Sequence, residues 1–212
     1  MLKSVRSLPQ SVARRMFKYG LPRRKGPAMI HLGSSYGGWT VPEGLITPSW
    51  IRYTAGVGED ASFDLALAEI GCDVVAIDPT PRAIQYVKSL PERHSNLRLA
   101  PYALWHRDTE LDFFPPENPR HVSFSATNRQ RTVAPIRVPG RTVATIMEEL
   151  SHPRVDLLKL DIEGAEYSVL DSLRLDDLGV RILCVEYHND HGISRMLSAA
   201  RRPLVQGFEV MS

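Results

Sequence analysis

Y-T-A-G-V-G-E-D-A-S-F-D-L-A-L-A-E-I-G-C-D-V-V-A-I-D, from Tyr53 to Asp78, reads as a strand, a tight glycine turn, a helix and a second strand ending in a carboxylate. A doubly wound α/β sheet builds a nucleoside pocket in this way. Gly56 and Gly58, with Ala61 in the third place, satisfy the dinucleotide pattern G-x-G-x-x-G/A, and Asp78 lies 20 residues beyond Gly58, where a ribose-binding acid belongs. By pattern alone the stretch admits a nicotinamide cofactor. The residues inside the turn argue otherwise. Glu59 and Asp60 place two carboxylates at the helix N-terminus, where a pyrophosphate needs bare N–H groups and the positive end of the helix dipole. Such a turn disfavours phosphate and suits a ligand with a cationic end, such as the sulfonium and ammonium of S-adenosylmethionine. An ordinary strand-turn-helix with acidic capping explains Glu59 and Asp60 but leaves Asp78 without a role.

Working outward, 212 residues suffice for one sizeable core, and no linker argues for two domains. The expected organisation is a basic arm over 1–26 and a single domain over 27–212. The formal charge of +2 hides an asymmetry. Residues 1–26 carry eight of the 26 basic residues and no acidic one, so the rest has 18 basic against 24 acidic groups, a net −6. A nucleic-acid partner along the body is therefore not expected. In the arm, Leu8, Val12 and Met16 fall at helical spacing opposite Arg14, Arg15 and Lys18, which suits either peripheral contact with an anionic membrane or packing on its own domain. Cys72 and Cys184 have no C-x-x-C spacing and read as inert core thiols of a reducing compartment. No apolar run approaches the roughly 18–20 residues that span a bilayer, and no signal-peptide core is present, so a soluble, cytoplasmic protein is expected. An Arg-rich organelle presequence ranks lower.

Along the chain, residues 29–40 suggest a hairpin that can fold over the cofactor mouth, and a helix is expected over 82–90. A third strand with its following loop is expected over 96–105, and the proline-broken stretch 111–138 suits a β-rich insertion. A short helix over 142–150 precedes a fourth strand at 155–161. A fifth strand follows at 181–188, then a helix at 193–200 and a last strand candidate at 207–211. The fold class is α/β: a doubly wound, mostly parallel sheet with helices on both faces. Methyltransferases of this architecture end in an antiparallel pair of strands, and this chain has residues for only one after its last helix.

Ligands of open α/β sheets lie beyond the carboxyl ends of the strands where strand order reverses, here between the first and fourth strands. The fourth strand ends in K-L-D-I-E-G-A-E (Lys159 to Glu166), and strand alternation would project Lys159, Asp161 and Glu163 together until Gly164 breaks the strand. Lys159, early in a buried strand, needs a carboxylate partner. Glu186 and His188 stand two apart at the end of the fifth strand. Methyl transfer from a sulfonium is an in-line displacement that depends on alignment, and an aliphatic hydroxyl needs a base, for which Asp161, Glu163 or His188 can serve. A divalent metal held by Asp161, Glu163 and Glu186 is the alternative route to a lowered hydroxyl pKa. In the plainer reading Asp161 holds the methionine ammonium, Glu163 caps the next helix and His188 is a satisfied hydrogen-bonding group. The D/N-P-P-Y/F element of exocyclic-amine methyltransferases is replaced by D-I-E-G, and neither cysteine is placed as a nucleophile.

L-L-K-L-D-I-E-G-A-E (Leu157 to Glu166), Y-T-A-G-V-G-E-D-A-S-F-D (Tyr53 to Asp64), A-I-D-P-T-P (Ala76 to Pro81) and L-G-S-S-Y-G-G-W (Leu32 to Trp39) together resemble the FkbM family of S-adenosylmethionine-dependent methyltransferases, over roughly residues 28–210. The resemblance implies a Rossmann-like class I fold and O-methylation of a small-molecule, sugar or glycoside hydroxyl. It places Gly56, Gly58 and Glu59 on the methionine side of the cofactor, Asp78 on the ribose, Ala103 and Leu104 near the adenine and Asp161 at the reacting end. Val57, Ser62 and Pro79 join them as expected cofactor-binding residues. The competing classes are an NAD(P)-dependent oxidoreductase and a non-catalytic nucleoside-binding protein with a membrane-associating arm.

Overall fold

The computed structural model describes residues 23–91, 94–118, 120–188 and 192–211. The helical spacing of Leu8, Val12 and Met16 falls outside them. In chain order the elements are β1 (Arg23–Arg24), β2 (Met29–Leu32), β3 (Trp39–Pro42), β4 (Ile51–Ala55), α1 (Ser62–Glu69), β5 (Asp73–Ile77), α2 (Pro81–Ser89), β6 (Leu97–Ala100), β7 (Ala103–Leu104), β8 (Thr109–Phe113), β9 (Ile136–Arg141), α3 (Val143–Leu150), β10 (Leu157–Leu160), α4 (Glu166–Ser172), β11 (Ile182–Val185), α5 (Ile193–Val205) and β12 (Val210–Met211). The described residues divide into two compact units, Pro27–His188 and one that joins the described parts of the two chain ends.

In the larger unit five strands form one sheet in the order β11-β10-β4-β5-β6, every pair parallel. Parallel strands buried on both faces need continuous apolar runs, and Leu157 to Leu160 is such a run, buried at all four positions. From β4 the chain steps outward to β5 and β6, then returns to β10 on the other side, so strand order reverses between β4 and β10 as the sequence implies. Leu157, Val74, Phe63, Leu67 and Trp50 belong to the main apolar cluster. Cys72 and Cys184 are buried free thiols, and burial pushes the Cys184 thiol up to about 12.

Three expectations change in detail. The third strand expected within 96–105 is β6, which closes the five-stranded sheet, and the loop expected after it holds a further short strand, β7, which pairs with β9 in a second sheet of order β7-β9-β8. That sheet is the expected β-rich insertion, with a small core of Ala103, Phe113 and Val138. The fourth and fifth strands are shorter than expected, Leu157–Leu160 and Ile182–Val185, and beyond the fourth the chain turns away at Glu163 and Gly164, whose φ are 53° and 97°. In the unit formed by the chain ends, β12 pairs in parallel with β1, Arg23 opposite Val210. The hairpin over 29–40 is present as the antiparallel pair β2 and β3. Among the described residues no helix is long and apolar enough to cross a membrane.

Candidate active site

A cleft of about 280 Å³ opens at the carboxyl ends of β4, β5 and β10, where strand order reverses. Of the expected site residues, Gly56, Val57, Gly58, Glu59, Asp78, Pro79, Ala103, Leu104, Asp161, Glu163 and His188 all line it, and Ser62 does not. Tyr36, from the L-G-S-S-Y-G-G-W stretch, also reaches the cleft, as do Tyr102, Val122 and Phe124, from segments that carried no motif.

The glycine turn is shaped by Asp78. This buried carboxylate accepts from Val57 N (3.1 Å) and Gly58 N (3.0 Å) on one oxygen, and from Thr80 N (2.9 Å) and Thr80 Oγ1 (2.7 Å) on the other. Thr80 in turn caps α2 through Ala83 N, with Pro81 at the first helical position. Asp78 therefore latches the turn to the next helix, and four donors already occupy the oxygens that sequence reasoning assigned to a ribose. Burial raises the Asp78 carboxyl, against the opposing effect of those bonds. Asp78→Asn replaces one acceptor oxygen by an NH2 group that must face either the Val57 and Gly58 donors or the Thr80 donors. It should cost about 1–3 kcal/mol in thermal denaturation; an unchanged melting temperature would show that the latch is dispensable.

Glu59 and Asp60 also have local partners. Exposed Glu59 is bound by Arg82, whose Nε lies 3.0 Å from Oε1. Asp60 accepts from Ser62 N (2.9 Å) at the helix start, and from Ser34 Oγ (2.5 Å) and Gly37 N (3.1 Å) in the β2–β3 connection. Burial alone would raise its carboxyl, but these bonds outweigh burial and hold it below the ordinary carboxylate range. Ser62 completes the tether, its Oγ accepting from Ser34 N at 2.7 Å. The hairpin connection is thereby fastened beside the cleft, and Tyr36 and Gly37 form part of the wall.

The opposite wall carries the charge. Lys159 is buried, and its Nζ donates to Gly56 O at 2.6 Å, sits 3.5 Å from Asp161 and lies 5.7 Å from the Trp39 ring centroid. The expected carboxylate partner is present. Beyond Leu160 the positive φ of Glu163 ends the strand alternation that was to align Asp161 and Glu163, yet the turn still gathers them. Donor atoms of Asp161, Glu163 and His188 all lie within 4.8 Å of one another. Glu163 does not cap α4; its carboxylate pairs with Arg129 of the insertion and lies 3.4 Å from His188 Nε2, while its carbonyl accepts from Ser125 Oγ at 2.7 Å. Glu186, rather than completing that trio, lines the cleft separately; burial and the neighbouring Asp161 and Glu163 raise its carboxyl. The trio has the donors for a divalent cation, but protein cations already face it: Lys159 at Asp161 and Arg129 at Glu163.

Burial lowers the His188 imidazole, but Glu166 and Glu163 outweigh both burial and Arg129, and the net direction is upward. Arg129 and Ser125 escaped sequence reasoning because they reach Glu163 across 34 and 38 residues, from a segment without periodicity.

Residues 54–206 match the methyltransferase FkbM domain. Among curated proteins the chain is similar to a probable methyltransferase-like protein 24 of Rattus norvegicus, 28% identical over 127 residues that cover 59% of this chain and 29% of that protein. A probable methyltransferase-like protein 24 of Homo sapiens is also 28% identical over 127 residues, 59% of this chain and 28% of its own length. The matched stretch thus spans less than a third of these relatives. No solved structure matches significantly.

Proposed function

On the premise that the chain belongs to the FkbM methyltransferase family, we propose that it transfers the methyl group of S-adenosylmethionine to a hydroxyl of a small molecule or glycoside. The observation that carries this reading is the acid-lined corner at the switch point, where Asp161, Glu163, Glu186 and His188 face the glycine turn across one cleft. The cofactor supplies an electrophilic methyl group on a sulfonium. Carboxylates at the reacting end stabilise that positive charge, and Asp161 and Glu186 stand where the methionine end would enter. Ala103, Leu104 and Phe113 provide an apolar wall for the adenine.

A dinucleotide fits less well. The N–H groups of Val57 and Gly58 serve Asp78, Ala61 N serves Tyr86 and Ser62 N serves Asp60, so the donors a pyrophosphate requires are engaged. A hydroxyl acceptor is favoured over a nucleobase amine because D-I-E-G stands at the strand end, and over the C5 carbon of cytosine because Cys72 and Cys184 are both buried. In this reading the acceptor is a small molecule and no nucleic acid takes part.

Isothermal titration with S-adenosylhomocysteine should give a dissociation constant on the order of 1–100 μM, the range in which enzymes hold their small substrates. No heat of binding at high-micromolar ligand would refute the reading. Radiolabelled methyl transferred to a panel of hydroxyl acceptors should survive mild base, as an ether does; label released by base would mark a carboxyl acceptor instead.

A further inference from the structure

Glu166 is fully buried at the first position of α4, and three donors converge on it. Ile162 N lies 2.9 Å from Oε1, Gly164 N lies 3.0 Å from Oε2, and His188 Nδ1 lies 2.9 Å from Oε1. The left-handed turn at Glu163 and Gly164 presents those backbone N–H groups, so the carboxylate is held by the turn that ends β10. The other side of His188 is held through its backbone, where Tyr167 Oη donates to His188 O at 2.6 Å. The imidazole therefore has one placement, with Nε2 on the cleft side, 3.4 Å from Glu163.

We propose that Glu166 positions His188, through its Nδ1–H, so that Nε2 accepts the proton of the acceptor hydroxyl during methyl transfer. An ionised carboxylate only accepts, so the proton on this side belongs to Nδ1 and the lone pair of the neutral ring belongs to Nε2. The hydroxyl oxygen forms its bond to the methyl carbon as the carbon–sulfur bond breaks. The electron pair of that bond stays on sulfur, and the hydroxyl proton passes to Nε2. Glu163 is occupied by Arg129, which separates its role from that of Glu166. The charged groups facing the ring are Glu166, Glu163 and Arg129, with Glu186 on the same wall, and the carboxylates prevail.

This inference rests on the methyl-transfer reading, and its test keeps the two apart. His188 is followed by NMR titration of its ring resonances, assigned with His188→Gln, in the wild type and in Glu166→Gln. In the wild type the ring should titrate above the ordinary histidine range and carry its neutral proton on Nδ1. In Glu166→Gln the titration should move down towards the ordinary histidine range, with the neutral proton moved to Nε2. S-adenosylhomocysteine affinity should change by less than about threefold, and transfer should fall by roughly 100-fold or more. If the glutamine variant does not fold, Glu166→Asp, which draws the carboxylate back by one methylene, should move the titration in the same direction and lower transfer. A titration and tautomer unmoved by these variants overturn the role of Glu166 with the methyl-transfer reading intact. Absence of S-adenosylhomocysteine binding by the wild type overturns that reading, and the proton-accepting role with it.

Discussion

Gly56→Ala is expected to lower the melting temperature by about 10 °C and to abolish S-adenosylhomocysteine binding. A Cβ at this position would lie 1.7 Å from Asp161 O, a backbone atom on the neighbouring strand end that no side-chain rotation can move away. The φ of +84° adds left-handed strain. Together these terms amount to about 3–5 kcal/mol, and a domain of this size loses roughly 2–4 °C per kcal/mol. Relief requires β4 and β10 to part at the point where strand order reverses, displacing Asp161 and the carbonyl that Lys159 holds. Gly44→Ala is the matched control. Its φ is +73°, but nothing lies within 4 Å of the added Cβ, so it reports strain alone. A drop for Gly56→Ala no larger than that of Gly44→Ala would show that the close approach at the switch point has no energetic consequence.

What could be read from the residues was whatever repeats locally. The apolar run at Leu157 to Leu160, the glycine pair at Gly56 and Gly58 and the acid at Asp78 identify strands, turn and order, and hence the switch point. The K-L-D-I-E-G-A-E stretch placed the reactive corner. The partners of each acid were not legible, because they come from distant segments: Asp60 is met by Ser34, 26 residues away, and Glu163 by Arg129, 34 residues away. The charge argument on the glycine turn reached the right family for a reason that holds only in part. Glu59 is paired with Arg82 and Asp60 tethers a loop, while the turn's N–H groups are withheld from phosphate chiefly by Asp78. Of the two readings of Glu163, helix cap or cleft acid, its carboxylate follows the second, and Glu166, three residues later, takes the backbone donors of the turn.

Lys159→Met is expected to cost about 3–5 kcal/mol near neutral pH, the usual penalty for removing one partner of a buried charged group, and the loss should shrink on acidification. Lys159 stands in register with Cys184 on one side and Thr54 on the other, in the middle of the parallel sheet. Thr54 donates to Asp64, a buried carboxylate on α1, so Lys159 is the cation of a polar seam in an otherwise apolar layer. Burial raises the Asp64 carboxyl, and the field of Lys159 is the leading influence in the opposite direction. A carboxyl whose folded pKa lies above its unfolded value favours the folded state most fully at low pH, and that contribution is lost as pH rises through the folded pKa. Removing Lys159 moves the folded pKa further up, so the deficit of the variant relative to wild type is small at acid pH and widens towards neutrality. Melting temperatures at pH 5 and pH 7.5 measure it: a deficit of about 10 °C at the higher pH should be less than about half as large at the lower one. Met fills nearly the same volume, so lost packing contributes little to the difference. A deficit equal at both pH values would locate the cost in the unmet carbonyl of Gly56, whose bond to Nζ does not depend on the ionisation of Asp64.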